Sequence, residues 1–377
     1  MNDNVSPEAD SIGRTMPLNQ TITDSPIVLF IGAGASAALA KPMMAEFITK
    51  ASETLDQSLA ELLRCIRHFR GNDLEAILND VESMIDLSYL SGSWVEYVPA
   101  YPHAGIPGFE EAPPSLVADR VHRETAMLLK GALEREIISE YSSVDQKQTE
   151  NLYGPLLELL FRSLRSREIC LPIFSTNYDP AIERFYEGDT KKFSLTDGFQ
   201  HHLASRSYYW DSSVYDQFTV EKAKHNLILF KLHGSANWIR RKLDDKILYS
   251  ISIHDSADRR RYENVIIYPA RRKVTIMDPY FTGYDYFQRC CERAKICLVI
   301  GYSFRDYDLL TRLMSAFRFN NSLCVGILDP RADELISHFP LEGGKFVALP
   351  YSFGDSDQES DYLMAIRQLL PWSPHIG

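Results

Sequence analysis

Apolar runs of strand length alternate with helical patterns along much of the chain. An early run covers residues 27–31, and later runs cover 170–174, 227–232, 265–267, 296–300, 323–328 and 346–349. Helical spacing of apolar residues follows several of these runs, at 180–186, 279–294, 307–317, 332–338 and 361–370. Such alternation predicts an α/β fold with a Rossmann-like, doubly wound parallel sheet.

Residues 46–168 carry a different pattern. Apolar side chains recur there every three or four residues, at 59–69, 74–85, 117–138 and 152–164, which predicts a large helical insertion. Residues 91–114, rich in proline, glycine and aromatic side chains, interrupt it and are too long for a routine connection. A lid, a partner-docking loop and a packed surface excursion are the open interpretations of that segment.

The same patterns divide the whole chain. Residues 1–24 lack hydrophobic periodicity, which predicts a flexible leader. Residues 25–350 form one predicted domain, which contains the helical insertion 46–168 and a smaller polar and aromatic insertion at 189–225. Residues 351–377 are predicted to add a C-terminal helix and tail.

Composition narrows the class of protein and its location. The 377 residues include 40 Lys and Arg against 51 Asp and Glu, a formal net charge of −11. Strong direct binding to nucleic acid or to an anionic membrane requires cationic surface, so neither is expected. No apolar run approaches the roughly 20 residues that span a bilayer. The first two dozen residues contain no secretory signal, so we expect a cytoplasmic protein.

The cysteines bear on both redox state and metal binding. All six lie in apolar stretches and, apart from one adjacent pair, are scattered singly. None has the paired CxxC spacing of a zinc ribbon. We therefore expect reduced, mostly buried thiols and no metal ion.

A glycine-rich turn follows the first predicted strand. Residues 32–37, Gly-Ala-Gly-Ala-Ser-Ala, match the G-x-G-x-x-[GA] pattern. The first glycine, Gly32, allows the turn, and the second, Gly34, lets backbone approach a pyrophosphate at a helix N-terminus. Small residues at such a turn can also serve packing alone. The acidic ribose ligand usual about 20 residues later is missing, which disfavours an ordinary dehydrogenase.

Polar residues follow the next predicted strand, where doubly wound folds bind ligands. These residues are Thr176, Asn177 and Asp179. The amide of Asn177 both donates and accepts, which suits a water or a ribose hydroxyl. Asp179 taken singly is equally well explained as the N-cap of the following helix.

His233 ends the third predicted strand in the same way. Its unperturbed pKa of roughly 6.5 would let it take or give a proton near neutral pH. The glycine after it, Gly234, would leave room for a ligand beside the imidazole. A lone histidine is more often structural, but this one joins two other ligand-suited turns.

Two more strand ends carry suitable residues. Gly301 and Ser303 follow the strand at 296–300 and suit contact with phosphate or ribose, while Asp306 is explained as a helix cap. Asp329 closes the next strand, and its carboxylate suits ribose hydroxyls. A turn-forming Asp-Pro is the competing interpretation of Asp329.

Together these turns resemble a known family. In order along the chain they are residues 32–36 (Gly-Ala-Gly-Ala-Ser), 176–179 (Thr-Asn-Tyr-Asp), 232–235 (Leu-His-Gly-Ser), 301–303 (Gly-Tyr-Ser) and 329–330 (Asp-Pro). They resemble the NAD-binding core of sirtuins, and more closely the bacterial sirtuin-like (SIR2-like) proteins that act as NAD hydrolases in antiphage defence.

The resemblance implies roles for individual residues. Asn177 and His233 look like the catalytic pair. The residues that would bind NAD+ are Gly32, Ala33, Gly34, Ser36, Thr176, Asp179, Gly301, Ser303 and Asp329. Within that set, Ala33, Ser36 and Asp179 would lie near the diphosphate and nicotinamide, with Ser303 and Asp329 toward the adenosine.

Two departures separate this chain from deacetylase sirtuins. Their four-cysteine zinc module follows the histidine, whereas residues 235–264 here contain no cysteine. Their Gly-Ile-Pro-Asp-Phe-Arg loop is replaced by residues 40–45, Ala-Lys-Pro-Met-Met-Ala. Both departures argue against protein deacylation, and neither argues against simple cleavage of NAD+.

The resemblance therefore implies an NAD+ glycohydrolase, the effector of an antiphage abortive-infection system, with NAD+ as substrate. Uncontrolled NAD+ hydrolysis would poison the cell, so we expect gating by a homo-oligomer, by a separate HerA-type ATPase partner, or by both. One competing interpretation is a catalytically silent sensor of NAD+ or ADP-ribose. A weaker one is a zinc-free deacylase or ADP-ribosyltransferase.

Overall fold

The computed structural model of the protein describes residues 19–91, 95–96, 120–121, 123–164, 169–202, 207–241, 246–249, 262–266, 278–339 and 345–370. Its helices are α1 (Gln20–Thr23), α2 (Ala33–Ala37), α3 (Met44–Thr54), α4 (Gln57–Arg70), α5 (Leu74–Ser91), α6 (Arg123–Tyr141), α7 (Gln146–Leu164), α8 (Ala181–Gly188), α9 (Ser213–Asp216), α10 (Tyr280–Arg293), α11 (Tyr307–Phe319), α12 (Ala332–Ser337) and α13 (Glu359–Leu369).

Its strands are β1 (Ile27–Ile31), β2 (Val95–Glu96), β3 (Arg120–Val121), β4 (Cys170–Ser175), β5 (Phe193–Thr196), β6 (Phe199–His202), β7 (Ser207–Trp210), β8 (His225–Lys231), β9 (Gly234–Arg241), β10 (Ile247–Tyr249), β11 (Tyr262–Ile266), β12 (Ile296–Ile300), β13 (Cys324–Leu328) and β14 (Lys345–Leu349). Seven of them form a sheet in the order β14-β13-β12-β1-β4-β8-β5. Every pairing in this sheet is parallel. The predicted doubly wound, Rossmann-like sheet is confirmed.

Helices cover both faces of the sheet because its central strands are apolar on both. In β1, Ile27, Leu29 and Ile31 belong to a core shared with α7, α8 and α13. Val28 and Phe30 belong to a second core, shared with α10, α11 and α12. Successive side chains of a strand point to opposite faces, so the continuous apolar run is what a doubly covered sheet requires.

The predicted helical insertion has a core of its own. Helices α3 to α6 pack together through buried aliphatic residues such as Ile48, Leu63 and Leu133. Tyr178, from the turn after β4, and Ala236, in β9, also belong to this core. The insertion therefore packs directly against the ends of the central strands, whereas α7 packs against the sheet itself.

A second, antiparallel sheet has the strand order β11-β9-β10-β7-β6. Residues 265–267 were expected to add a strand to the parallel sheet, and this was wrong: Val265 and Ile266 lie in β11, which pairs antiparallel with β9. So short an apolar run does not specify its partner. Conversely, β5, from the predicted small insertion at 189–225, pairs parallel with β8 at the edge of the main sheet.

Residues 19–24 are ordered, so the prediction of a flexible leader over residues 1–24 is wrong for this part. Ile22 in α1 is fully buried. The Asn19 amide donates to the backbone oxygens of Tyr215 (3.1 Å) and Phe218 (2.9 Å). These contacts anchor α1 on the sheet face that carries α10.

Other expectations concern the remaining segments. Most of the segment 91–114 and residues 371–377 lie outside the described residues, while α13 confirms the predicted C-terminal helix. Four cysteines, Cys170, Cys290, Cys291 and Cys297, are buried as expected. No helix in the described part of the chain is long and apolar enough to cross a bilayer.

Candidate functional site

The strand register brings the predicted turns to one edge of the sheet. Ile31, the last residue of β1, is level with Ser175 of β4 and with Ile300 of β12. Ser175 is level with Lys231 of β8, and Ile300 with Leu328 of β13. The five turns that follow these residues therefore start side by side, at the carboxyl edge where doubly wound folds bind ligands.

The glycines after β1 and β12 allow two turns to touch. Gly32 N donates to Ile300 O and Gly34 N donates to Gly301 O, each at 2.8 Å. A Cβ on Gly34 would lie 2.7 Å from Gly301 Cα, and Gly301 itself has a φ of +59°. Only glycine combines that backbone conformation with so close an approach. Within the described residues, protein backbone thus accounts for these glycines without a ligand.

Ser36 and Asp179 join the first turn to the second. Ser36 Oγ donates to Asp179 Oδ2 at 2.5 Å, and Asp179 Oδ1 accepts from Ala181 N at 3.1 Å. Asp179 therefore accepts from the first residue of α8, although Pro180 is the N-cap, and it also contacts the glycine turn. Lys231 Nζ donates to the backbone oxygen of Asp179 at 2.5 Å, which ties the β8 end to the same turn.

Asn177 is buried at this edge, with 6% of its surface exposed. Its backbone N donates to Ser175 Oγ at 3.1 Å, while Thr176 N donates to Ile31 O at 3.1 Å. The side-chain oxygen Oδ1 of Asn177 has no hydrogen-bond partner. A buried acceptor without a partner is costly, and such groups in native proteins often mark a ligand or water position.

The turn that carries His233 is hydrogen-bonded to the turn that carries Asn177. Ser235 Oγ donates to Tyr178 O at 3.1 Å, and Ala236 N donates to the same oxygen at 2.9 Å. His233 is 3% exposed. The two predicted catalytic side chains are therefore carried by neighbouring, cross-linked turns.

The imidazole of His233 contacts a carboxylate that the sequence pattern explains only as a helix cap. His233 Nε2 lies 3.0 Å from Asp306 Oδ2. Asp306 does cap α11, because its Oδ1 accepts from Asp308 N at 3.0 Å. The hydroxyl of Tyr284, in α10, donates to Asp306 Oδ2 at 3.1 Å. The sequence showed that a carboxylate follows the end of a strand at this position. It did not show that this carboxylate would face the imidazole of His233.

The expected role of Gly234 was wrong. A Cβ at this position would lie 1.9 Å from Val265 O, and Gly234 has a φ of +77°. The space beside the histidine turn is therefore filled by the backbone of β11 rather than left for a ligand. The glycine is needed where β9 leaves the turn and packs against its neighbour.

A buried charged cluster below Asn177 was also missed. The residues around a narrow gap, too small to hold a water molecule, include Asn177, Asp179, Glu183, Lys231 and Tyr153. Burial raises the pKa of Glu183 to about 7, although the nearby ammonium of Lys231 lowers it. Burial, with the charges of Asp179 and Glu183, also raises the pKa of Tyr153. One signal was available, since Glu183 shares its helix with the buried Ala181, Ile182 and Phe185.

The two residues assigned to the adenosine side lie across β1 from Asn177 and His233. Ser303 is exposed and lines a groove of about 480 Å³ between α11 and α12. Asp329 Oδ1 accepts from Arg331 N at 2.8 Å, the contact of a turn-forming aspartate. Both follow strands on the far side of the switch point between β1 and β12.

The described ranges contain no group of three or more His, Cys, Asp or Glu side chains arranged to hold a metal ion. The adjacent Cys290 and Cys291 are buried in α10, and burial raises the pKa of both thiols. Neither contributes to the site at the sheet edge.

Comparisons with solved structures give likenesses at low identity. A Sir2 homologue in complex with NAD is 12% identical, with 93% of each chain covered and a TM-score of 0.39. A variant of a Sir2 homologue in complex with ADP ribose is 15% identical, covering 93% of this chain and 96% of the other, with a TM-score of 0.40. Sir2 bound to an acetylated peptide is 9% identical, covering 93% and 95%, with a TM-score of 0.37.

No curated protein sequence matches the chain. Among family models, residues 172–326 match a SIR2-like domain. The matched segment includes the turns that carry Asn177, His233 and Ser303, and it leaves out the first glycine turn and Asp329. This part of the chain is therefore sirtuin-like.

Proposed function

We propose that the protein is an NAD+ glycohydrolase, which uses water to cleave NAD+ to nicotinamide and ADP-ribose. The observation that carries the proposal is the buried, unpartnered Oδ1 of Asn177, held on a turn that is hydrogen-bonded to the turn of His233. The SIR2-like match over residues 172–326 supports NAD as the substrate class.

Cleavage of NAD+ requires mainly that the protein position the substrate and a water. Nicotinamide leaves as a neutral group from a cationic substrate, so the barrier reflects formation of an oxocarbenium-like ribosyl centre. A site that holds the ribose, excludes bulk water and places one water lowers that barrier. Asn177 is suited to hold the water or a ribose hydroxyl, and His233 to act as the base toward the water or a ribose hydroxyl.

The remaining predicted contacts follow the order of strands. Asp179, two residues after Asn177, and its partner Ser36 would lie near the diphosphate and the nicotinamide. Ser303 and Asp329 lie across β1 and would contact the adenosine half. The glycine turns of β1 and β12 would lie beneath the diphosphate between the two halves, where helix N-termini favour anions.

Gating is part of the proposal. The gap at Asn177 is too small to hold a water molecule, whereas ordinary ligand sites enclose roughly 300–1,000 Å³. Ser36 and Asp179, both predicted to contact NAD+, are hydrogen-bonded to each other. We infer that NAD+ enters only after these turns separate, and that assembly into a homo-oligomer, binding of a separate HerA-type ATPase, or both would drive that step. In this proposal the enzyme depletes NAD+ during abortive infection.

Release of nicotinamide from NAD+ tests the proposed activity, measured on the chain alone and with a HerA-type ATPase added. Asn177→Ala and His233→Ala should each lower the rate by about 10²- to 10⁴-fold. The matched controls are His68→Ala, in α4, and Asn72→Ala, just after α4. Both should leave the rate of nicotinamide release unchanged. Unchanged release from both site variants would overturn the site assignment.

A second measurement separates the enzyme from a silent sensor. Calorimetric titration with ADP-ribose reports binding without turnover. Binding by the assembled wild-type protein, together with no nicotinamide release, would overturn the glycohydrolase and favour the sensor. Release that requires an acylated peptide or an acceptor protein would instead identify a deacylase or a transferase.

A further inference from the structure

Asp306 has more hydrogen bonds than a helix cap needs. Its Oδ1 accepts from the backbone N atoms of Asp308 (3.0 Å) and Leu309 (3.4 Å), which caps the helix. Its Oδ2 is left over for side chains, and it lies 3.1 Å from the Tyr284 hydroxyl and 3.0 Å from His233 Nε2. Asp306, Tyr284 and His233 are all buried.

The donors around this carboxylate determine what the ring must present to it. An ionised carboxylate only accepts hydrogen bonds. Tyr284 remains a donor because burial and the neighbouring Asp306 raise the pKa of its hydroxyl. The ring nitrogen that faces Oδ2 must therefore carry a proton, which places the hydrogen of a neutral imidazole on Nε2 and its lone pair on Nδ1.

We propose that Asp306, held in place by Tyr284 and by the first turn of α11, positions His233 as the Nε2–H tautomer, so that Nδ1 is the atom that accepts the proton in the reaction. This rests on the proposed cleavage of NAD+. Asp306 is a positioning residue here, since it acts on the substrate only through the imidazole.

The proton transfer balances without any further reactant. The bond between the ribosyl carbon and nicotinamide breaks, and its electron pair leaves with the nicotinamide. Water forms the new bond to that carbon and loses a proton to His233 Nδ1. The imidazolium that results is stabilised by Asp306 Oδ2 and later releases its proton to solvent. The carboxylate of Asp306 thus fixes the tautomer of the neutral ring and also stabilises its charged state.

The variant Asp306→Asn tests the positioning of His233 separately from the capping of α11. Asparagine caps helices as well as aspartate does, so its oxygen can keep the bonds to α11 while its NH2 group takes the place of Oδ2. A donor there forces Nε2 to accept and moves the ring proton to Nδ1. We expect kcat to fall by about 10²- to 10⁴-fold, with KM changed little and the unfolding midpoint close to that of the wild type.

Two further variants sharpen the assignment. Tyr284→Phe removes one of the donors on Oδ2 and should lower kcat by roughly threefold to tenfold. Asp56→Asn changes a matched cap, since Asp56 Oδ1 accepts from Leu59 N at the start of α4, and it should leave kcat unchanged. A wild-type kcat in Asp306→Asn would mean that Asp306 is only a cap, and would overturn the proposal.

The tautomer itself is measurable without substrate. In protein labelled with 15N-histidine, the His233 signals, identified by their loss in His233→Gln, should report Nε2–H in the wild type and Nδ1–H in Asp306→Asn. An Nδ1–H wild-type ring would overturn the inference. A wild-type ring protonated at Nε2, in a protein that releases no nicotinamide under any condition, would leave the tautomer assignment standing and refute only the proposed function.

Discussion

The two sides of the candidate site are built by different means. Around β1 and β12, the turns are joined by backbone, and three glycines let main-chain atoms approach one another. Around β4 and β8, the turns also share backbone hydrogen bonds, but buried polar side chains join them as well, among them Lys231 and Asp179. On the first side, here called the glycine side, the volume of a new side chain decides which substitutions the protein tolerates. On the second side, here called the polar side, the compensation of buried charge decides it.

The largest effect is expected on the glycine side. Gly301→Ala should lower the free energy of unfolding by about 5 kcal/mol, because residue 301 has a φ of +59° and its new Cβ would lie 2.6 Å from the backbone of Gly34 and Ala35. Denaturant unfolding measures this change. If the variant does not fold, its soluble yield reports the same effect.

Two other glycines separate the backbone strain from the clash. Gly71 also has a positive φ, +61°, but no heavy atom lies within 4 Å of the position that a Cβ would take there, so Gly71→Ala should cost only about 1–3 kcal/mol. Gly131 is helical, and Gly131→Ala should stabilise by roughly 0.5–1 kcal/mol. If Gly301→Ala cost no more than Gly71→Ala, the two turns would not be as rigidly packed as their contacts indicate.

A smaller effect, of about 4 kcal/mol, is expected when the buried cation on the polar side is removed. Lys231→Met loses the bond to Asp179 O and leaves Glu183 without its neighbouring ammonium. Unfolding in urea at pH 8, above the pKa of Glu183, measures the loss. The double variant Lys231→Met, Glu183→Gln should recover part of it, because neither charge is then left alone.

Lys224→Met is the matched control for that experiment. Lys224 pairs with Glu221 just before β8, at 3.1 Å, but both side chains are partly exposed. Its loss should cost less than about 0.5 kcal/mol. Equal effects of the two lysine substitutions would contradict the view that charge compensation decides the polar side.

The third effect is a pH dependence centred on Glu183. Burial raises the pKa of this carboxyl from 4.5 to about 7 in the folded protein. The folded state therefore holds its proton where the unfolded state has lost it, and the contribution of Glu183 to stability falls as the pH rises from about 4.5 to 7. At roughly 1.4 kcal/mol per pKa unit, the fall is about 3 kcal/mol.

Glu183→Gln cannot titrate at this position, so the difference in unfolding free energy between variant and wild type should grow over that range and level off above it. Urea unfolding from pH 4.5 to 8 measures it. Glu187→Gln, on the exposed face of the same helix, should show no such trend. A flat difference for Glu183→Gln would mean that its carboxyl is not protonated in the folded protein.

Much of the fold and of the site was predictable, for a physical reason. Parallel strands buried on both faces are continuous apolar runs, so their ends are visible in the sequence, and polar residues at those ends must meet at one edge of the sheet. That logic located Asn177, Asp179 and His233 and the glycine turns. It located neither β5, whose residues are mixed in character, nor the partner strand of β11.

What the sequence determined by itself is the order of strands and helices and the kinds of residue at each strand end, because these depend on local periodicity and on backbone conformations open to few residues. Only the tertiary structure decided which groups face one another. Asp306 lies 73 residues after His233, and it reaches the imidazole because α11 packs beside α10. The same holds for Gly234 against Val265, since contacts between distant elements depend on how helices and sheets pack rather than on any local pattern.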